Sequence, residues 1–201
     1  MAPAAPPDES VDRRARRRQR TRNDIARIAV RLTAERGYDH VTVDDIAEAA
    51  DIAPRTFFRY FPSKDDVFFL DHDERMVFLR QALADRPTGE PIRASVRAAV
   101  LALAEHVDDD QEAFRAKSLL IRQVPSLRAR SADRTGEWQR VLAEGVAQRL
   151  GTDAERDLRA QVIAASTVAA LQAAVQVWLS TGGEATVHDV VAEALDLITE
   201  A

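Results

Sequence analysis

The chain has 201 residues and no cysteine, so it can bury a core, and both a disulfide framework and thiolate metal ligation are excluded. Glycine and proline are few, and the remainder is rich in Ala, Leu, Val, Arg and Glu, which favours helix. No alternating run rich in β-branched residues occurs, so we expect an all-α fold.

The net charge of −5 argues by itself against a nucleic-acid partner, but the distribution of the charge reverses that conclusion. Residues 13 to 64 hold 13 of the 28 Lys and Arg residues and 7 of the 33 Asp and Glu residues, a net +6. The rest of the chain carries −11. A basic head on an acidic body is typical of a nucleic-acid-binding module joined to a second module.

The N-terminal segment MAPAAPPDES lacks a charged region followed by an apolar one, so no secretory signal is expected. We predict a disordered tail over 1–12 and an arginine-rich arm over 13–20, leading into a helix over 20–36. The arm is either a solvated or localisation-like basic cluster, or a segment that reaches phosphates or a minor groove. The motif that follows favours the second interpretation.

Residues 42–64, TVDDIAEAADIAPRTFFRYFPSK, predict two short helices separated by a tight turn. Thr42 is a candidate N-cap, and Asp45 completes a capping box. Asp51 suits a left-handed turn position, and Pro54 suits the first position of the next helix. This spacing is that of a helix-turn-helix, whose second helix enters the DNA major groove.

The same segment resembles the DNA-binding domain of TetR-family transcriptional regulators over about fifty residues. The resemblance is carried by positions in three helices and by the junction that follows them: Ile25, Ala29, Leu32, Gly37, Tyr38, Thr42, Val43, Ile46, Ala47, Thr56, Phe57, Phe58, Tyr60, Phe61 and Pro62 to Lys64. It implies a helix-turn-helix domain over 13–62, an effector-binding and dimerisation domain over 63–201, and about nine helices. Capping and breaker residues predict the later helices at 63–84, 91–107, 111–123, 126–150, 153–180 and 187–200.

Candidate DNA contacts lie on and around the second helix of the motif. Arg55 and Arg59, four residues apart, suit guanine edges, and Thr56 and Tyr60 suit phosphates or a thymine methyl group. Thr42 offers its hydroxyl and helix N-terminal amides to a phosphate, and Lys64 is expected to grip the backbone. The full predicted set is Arg22, Thr42, Val43, Ala53, Pro54, Arg55, Thr56, Phe58, Arg59, Tyr60 and Lys64. A merely solvated basic face is the alternative.

Two residues depart from the family pattern. Phe58 stands where tyrosine is usual, which removes a hydroxyl that would contact phosphate. Asp51 stands where glycine is usual, which adds a negative charge near the DNA and some strain in the turn.

The penultimate predicted helix is apolar around most of its circumference, and the last carries Val187, Val190, Val191, Leu195 and Ile198. One neighbouring core would cover only one stripe of each helix. This excess favours a two-fold interface over purely intramolecular burial, and the resemblance implies a homodimer. The predicted interface residues are Val162, Leu171, Val175, Trp178, Val190, Ala194, Leu195 and Ile198. Residues 162–179 also come nearest to a membrane span, but Ser166, Thr167, Gln172 and Gln176 interrupt them, so we expect a buried helix and no membrane partner.

The resemblance also implies a ligand pocket among the middle helices. Its candidate lining is Phe78, Phe114, Arg122, Trp138, Val141, Val168, Leu171 and Gln172, with ordinary core packing as the alternative for each aromatic residue. Residues 122–151 are similar to actinobacterial regulators of the mycofactocin type. That similarity implies an acyl-CoA or another hydrophobic effector.

An enzyme is not expected, and neither a catalytic residue, a cofactor nor a metal site is predicted. The four histidines are isolated, and residues 71–74 (DHDE) are consecutive on a helix, so their side chains point in different directions. The sequence therefore predicts a cytoplasmic, ligand-responsive repressor that binds a palindromic double-stranded operator as a dimer. A helical scaffold whose basic head binds acidic partners, and a helical enzyme, are the other classes considered.

Overall fold

The computed structural model describes residues 9–108 and 110–200, and over these residues the chain forms nine α-helices and no strand. The predicted all-α fold is confirmed. The helices are α1 Glu9–Arg36, α2 Val43–Ala49, α3 Pro54–Tyr60, α4 His72–Ala84, α5 Ile92–Asp108, α6 Gln111–Gln123, α7 Pro125–Leu150, α8 Leu158–Ser180 and α9 Val187–Glu200. Two short 3₁₀ helices lie at Tyr38–His40 and Asp65–Phe69.

The chain divides into two compact units between Leu70 and Asp71. The first unit, here called the reading head, contains α1 to α3 and the second 3₁₀ helix. Spacings of four and three residues place Ile25, Ala29 and Leu32 on one stripe of α1, where all three are buried. They pack in one core with residues of the following segments: Val41, Ile46, Phe57, Phe61 and Val67.

Helix α1 begins eleven residues earlier than the expected start at 20. Residues 9–36 contain no glycine or proline, and arginine is a strong helix former, so the arginine-rich segment continues the helix instead of forming a separate arm. Of the predicted tail, residues 9–12 are helical, and residues 1–8 lie outside the described part of the chain.

The second unit is built around α8, which packs against α7 and α9, while α5 packs against α4 and α9. Alanine and aliphatic residues dominate the buried surface of α8, and the buried Thr167 donates its hydroxyl to the carbonyl of Ile163 at 2.7 Å. By length and composition alone α8 could cross a membrane, as the core helices of many soluble proteins could. Its contacts with α7 and α9 bury one side of the helix.

The single helix expected over 63–84 is instead a 3₁₀ helix followed by α4. Val67, Phe68 and Phe69 are all buried, so this segment is enclosed on more than one side. The spacing of Ser63 and Asp66 predicts a capping box at the start of the expected helix, but these two residues do not cap α4. The hydroxyl of Ser63 donates to the Asp66 carboxylate at 2.7 Å, upstream of that helix.

Helix α8 begins at Leu158 and not at 153, because Asp157 caps it. The Asp157 carboxylate accepts from the amides of Arg159 and Ala160 at 2.8 and 3.2 Å. At the C-terminal end of α7, Gly151 has φ +67 and ψ 32, the left-handed conformation in which glycine commonly ends a helix.

The connection between α4 and α5 is held by a group of charged side chains. Arg86 donates to the Glu90 carboxylate at 2.8 and 2.5 Å, and Ser95 donates to it at 2.7 Å. Arg149 of α7 donates to the carbonyls of Arg86 and Pro87 at 3.0 and 2.6 Å. The hydrogen bonds from Arg86 and then Ser95 lower the pKa of Glu90 to about 2.

Candidate nucleic-acid interface and effector domain

Helix α2 starts with the predicted capping box. The backbone amide of Thr42 donates to the Asp45 carboxylate at 2.7 Å, and the Asp45 amide donates to the Thr42 hydroxyl oxygen at 3.1 Å. The Thr42 hydroxyl also donates to that carboxylate, and these bonds to Thr42 lower the pKa of Asp45. The hydroxyl proton is therefore already engaged, and a phosphate contact at Thr42 would rest on the first amides of α2.

The turn between α2 and α3 has the predicted left-handed residue. Asp51 has φ +52, and the amide of Ile52 closes the turn by donating to the carbonyl of Ala47 at 2.9 Å. Pro54 is the first residue of α3, where its missing amide leaves no carbonyl unpaired. The turn orients α3 so that one side of the helix is buried. Phe57 lies on that side and is inaccessible to solvent.

The opposite side of α3 is exposed. Arg55 and Arg59 are solvent-accessible, and Phe58, 55% exposed, is the large apolar side chain between them. Arg59 lies over the ring of Tyr60, with 5.2 Å from its Cζ to the ring centroid. Ala53 and Pro54 are exposed at the start of the helix, and Thr56, Tyr60 and Val43 are half-buried. The helix thus presents two cations and an aromatic edge, groups that can contact base edges in a major groove.

Arg22 and Lys64 have more enclosed positions than the sequence suggested. Arg22 is half-buried, with its Cζ 5.7 Å from the centroid of the Phe61 ring. Lys64 donates to the carbonyls of Tyr38 and Val41 at 2.8 and 2.9 Å and lies 3.6 Å from the centroid of the Tyr38 ring. Burial lowers the pKa of Lys64, although neighbouring aspartates raise it. In this structure Lys64 therefore links the segment before α2 to the segment after α3, and its contact with the DNA backbone stays a prediction.

The predicted pocket residues lie in different surroundings of the second unit. Val141 and Val168 belong to its core, Phe114, Trp138 and Leu171 pack partly buried against it, and Arg122 is exposed. The Phe78 ring lies beside that of His106, and exposed Gln172 donates to the Thr135 hydroxyl at 3.2 Å. A cavity of about 340 Å³ lies elsewhere, at the first turns of α5 and α8. Its lining shares none of the predicted pocket residues: Pro91, Ile92, Arg93, Arg159, Val162 and Ile163.

Two predicted interface residues are corrected. Trp178 is 0% exposed and donates its ring N–H to the carbonyl of Ala185 at 2.9 Å, and Leu195 is 4% exposed. Both are buried within the protomer, so neither can face a partner. Val162 is 51% exposed, and Leu171, Val175, Val190, Ala194 and Ile198 are half-buried. Periodicity marks which helices are apolar, but it does not separate an inner stripe from an outer one when both are apolar.

A better signal for the outer stripe is the set of large apolar side chains that the protomer leaves exposed on α8 and α9. They are Leu158, Val162, Val177 and Leu197. Leu158, Val162, Ala169, Ala173 and Val177 fall on one face of α8, and all five are exposed.

Over the described residues, 9–108 and 110–200, no group of three or more His, Asp or Glu side chains is placed to hold a metal ion. Within the DHDE segment, the first two side chains have partners on different helices. Asp71 pairs with Lys117 of α6, and His72 lies 2.5 Å from the Glu137 carboxylate of α7. The divergence expected from helix geometry is what separates them.

Comparisons with known proteins follow the same division of the chain. A family model described as "Bacterial regulatory proteins, tetR family" matches residues 25–69, and one described as "MftR C-terminal domain" matches residues 90–201. The chain is 32% identical over 200 residues to the "Putative mycofactocin biosynthesis transcriptional regulator MftR" of Mycobacterium tuberculosis (strain ATCC 25618 / H37Rv). That match covers 96% of this chain and 100% of the relative.

A second relative and a solved structure agree. The chain is 35% identical over 158 residues to the HTH-type transcriptional regulator TcmR of Streptomyces glaucescens, covering 76% of this chain and 70% of TcmR. It shares the fold of Thermus thermophilus FadR, solved in complex with lauroyl-CoA, with a TM-score of 0.58, 21% identity, and coverage of 89% and 93% of the two chains. Matched by a family model over more than half its length and by a relative along nearly all of it, the chain belongs to the TetR family of bacterial regulatory proteins.

Proposed function

We propose that this transcriptional regulator is a homodimeric repressor that binds a palindromic double-stranded operator and is released by a small hydrophobic or acyl-type effector. The observation that carries the DNA-binding part is the two-sided α3. Phe57 anchors the helix in the core of the reading head, and the side that carries Arg55, Phe58 and Arg59 is exposed. The net charge of +6 over residues 13–64 supplies the attraction to phosphates.

Charge reversal on α3 tests this part. Arg55→Glu or Arg59→Glu is expected to weaken binding to the operator, selected from genomic fragments, by at least tenfold in an electrophoretic mobility shift assay. Each arginine fork on a guanine is worth about 1–3 kcal/mol, and the reversed charge adds repulsion from phosphates. The circular dichroism melt is expected to be unchanged, because both side chains are exposed. Unchanged affinity would refute the assignment of α3 and favour a helical scaffold with acidic partners.

The homodimer is supported by the exposed apolar face of α8 and by Leu197 of α9. Leu158 and Val177 are 77% and 56% exposed in the protomer, and side chains of this kind spaced along one helix favour a self-complementary interface. Val177→Glu is expected to convert dimers to monomers in native mass spectrometry. Gln148→Glu, which adds the same charge at an exposed residue of α7, is the control. A dimer that persists in Val177→Glu would place the interface elsewhere.

The effector part is supported by the second unit. It matches the MftR C-terminal family model and shares the fold of a FadR solved with lauroyl-CoA. Aromatic side chains such as Phe114 and Trp138 lie at the edge of its core, where an apolar ligand would contact them. Addition of the effector to the protein–operator complex is expected to release the DNA. Neither DNA binding nor dimerisation requires a membrane. We therefore infer that the regulator is cytoplasmic.

A further inference from the structure

The N-cap residue of α4 does not cap its helix. Thr42 and Asp157, which do cap α2 and α8, have ψ values of 167° and 104°, and their side chains accept backbone amides of the first turn. Asp71 has φ −81 and ψ −3 and accepts none. Its carboxylate is instead bound by Lys117 Nζ of α6 at 2.7 and 2.6 Å, and by Arg75 at 2.5 Å.

These three side chains, here called the triad, hold more positive than negative charge. Two cations share the single carboxylate of Asp71, and the side chains of Lys117, Arg75 and Asp71 are 17%, 25% and 34% exposed. Both cations lie over the Phe114 ring, 5.2 Å from its centroid for Arg75 and 5.9 Å for Lys117. The Phe114 ring packs in turn against Trp178, with the centroids 5.7 Å apart.

The pKa shifts of Lys117 and Asp71 agree with this excess of positive charge. Burial lowers the pKa of Lys117 and the charge of Arg75 lowers it further, while Asp71 acts in the opposite direction. Burial would raise the pKa of Asp71, but Lys117 and Arg75 outweigh it, so the net direction is down. A second anion at this place would be stabilised by a cation that is already partly desolvated.

We propose that Lys117 and Arg75 bind the anionic group of the effector, a carboxylate or phosphate attached to an apolar body lying on Phe114, and that this group displaces Asp71 from Lys117. The inference rests on the proposed function, because it assigns residues to the effector. It also limits the effector class to amphipathic anions. Charge-assisted hydrogen bonds to a Lys–Arg pair are the usual means by which proteins hold such groups.

Once displaced from Lys117, the Asp71 carboxylate can form other hydrogen bonds. It can accept the unpaired amides of the first turn of α4, as Thr42 and Asp157 do for their helices. The residues that cap helices here, Thr42, Asp157 and Asp110, have ψ values of 167°, 104° and 61°, so ψ of Asp71 must rotate away from −3° for capping. Asp71 directly follows Leu70, the last residue of the reading head. The effector would thereby select between two backbone conformations at the junction of the units.

Calorimetric titration of three probes that share one apolar chain tests the site. Laurate carries a carboxylate, lauroyl-CoA carries phosphates, and methyl laurate carries no charge; laurate is kept below its critical micelle concentration. We expect at least one anionic probe to bind at least tenfold more tightly than methyl laurate. Lys117→Met is expected to remove that preference, and Arg115→Met, which removes an exposed cation of the same helix, is expected to keep it. Equal binding of all three probes, no binding, or an unchanged preference in Lys117→Met would overturn the inference.

A second measurement needs no ligand. Asp71→Asn can still cap α4 but lacks the charge that holds Lys117, so it is expected to weaken operator binding at least fivefold in a mobility shift assay with no effector present. Asp196→Asn removes the exposed pair between α9 and Arg97 of α5 and is expected to bind as the wild type does. Wild-type binding by Asp71→Asn would refute the coupling. Failure of the wild-type protein to bind any operator would refute the proposed function instead, and the probe titrations would still decide the site.

Discussion

Arg59 and Lys64 are both cations of the reading head, and their surroundings assign them different tasks. Arg59 is exposed on α3, whereas the ammonium of Lys64 donates to two carbonyls of the segment between α1 and α2. We predict that Lys64→Met destabilises the protein by about 1–3 kcal/mol, because those carbonyls lose their partner. Arg59→Met is expected to leave stability unchanged and to weaken operator binding about tenfold.

Thermal denaturation and mobility shift assays on the two variants distinguish these tasks. The distinction fails if Lys64→Met melts like the wild type but loses operator affinity in the folded state, since Lys64 would then be a DNA contact after all. Lys64→Arg serves as a check on charge alone. It keeps the cation but not the compact ammonium that fits between two carbonyls, so partial destabilisation is expected.

Asp51 combines a left-handed backbone with a negative charge on the exposed turn before α3. Asp51→Gly is expected to raise the melting temperature by about 1–3 °C, because left-handed residues with a Cβ are strained by about 1–2 kcal/mol and glycine's greater freedom in the unfolded chain offsets part of the gain. Asp51→Asn removes the charge while keeping the Cβ. It is expected to tighten operator binding at low salt with little change in melting. A lower melting temperature for Asp51→Gly would show that the Asp51 side chain supports the turn.

At the scale of elements, the connection between α4 and α5 depends on one carboxylate. Bonds from Arg86 and Ser95 lower the pKa of Glu90 to about 2 in the folded state, well below the ordinary value of 4.5. A group whose pKa is lower in the folded state contributes stability above its unfolded pKa and loses that contribution as the pH falls through the folded pKa. The urea midpoint of the wild type should therefore decline between about pH 5 and pH 2.

Glu90→Gln is expected to lower the urea midpoint at pH 6 and to reduce its decline toward acid. Glu144→Gln is the matched control, since Glu144 forms an exposed pair with Arg140 within α7, and such surface pairs contribute little. Identical acid profiles for the wild type and Glu90→Gln would show that the bonds to Glu90 do not affect folding.

The elements themselves were predictable wherever local chemistry decides them. The bounds of α6 and α9 agree with those expected from Asp, Gly and Pro signals, and Thr42, Asp51 and Gly151 have the local roles expected of them. The contacts that local signals did not indicate depend on partners distant in sequence. Lys64 donates to carbonyls 23 and 26 residues away, Trp178 is enclosed within the protomer, and Asp71 pairs with Lys117, 46 residues on. Periodicity carries no information about such partners.

For the molecule as a whole, the separation of a +6 segment from a −11 remainder predicts that affinity for the proposed operator depends on salt. Each phosphate neutralised contributes about −0.9 to the slope of log affinity against log salt concentration. Arg17, Arg18 and Arg20 are exposed on the helical extension of α1. Changing all three to glutamine is expected to make the slope shallower by up to about 3 per protomer, with operator preference retained, because phosphate contacts carry no direct sequence information.

Titrations of operator and scrambled DNA at several salt concentrations measure both quantities. Equal slopes for the wild type and the triple variant would place the extension away from the DNA. A shallower slope with altered operator preference would assign base contacts to it instead.

Helix α1 runs for 28 residues, and Ile25, its first buried side chain among those described, anchors it in the core of the reading head. At 1.5 Å per residue, Glu9 stands about 24 Å from that anchor. A tilt of the reading head by about 10° would move the N-terminal end of α1 by about 4 Å. A displacement of that size is enough to break a hydrogen bond to a phosphate. Through its length, the helical extension of α1 would convert a small rotation of the reading head into the formation or loss of ionic contacts far from α3.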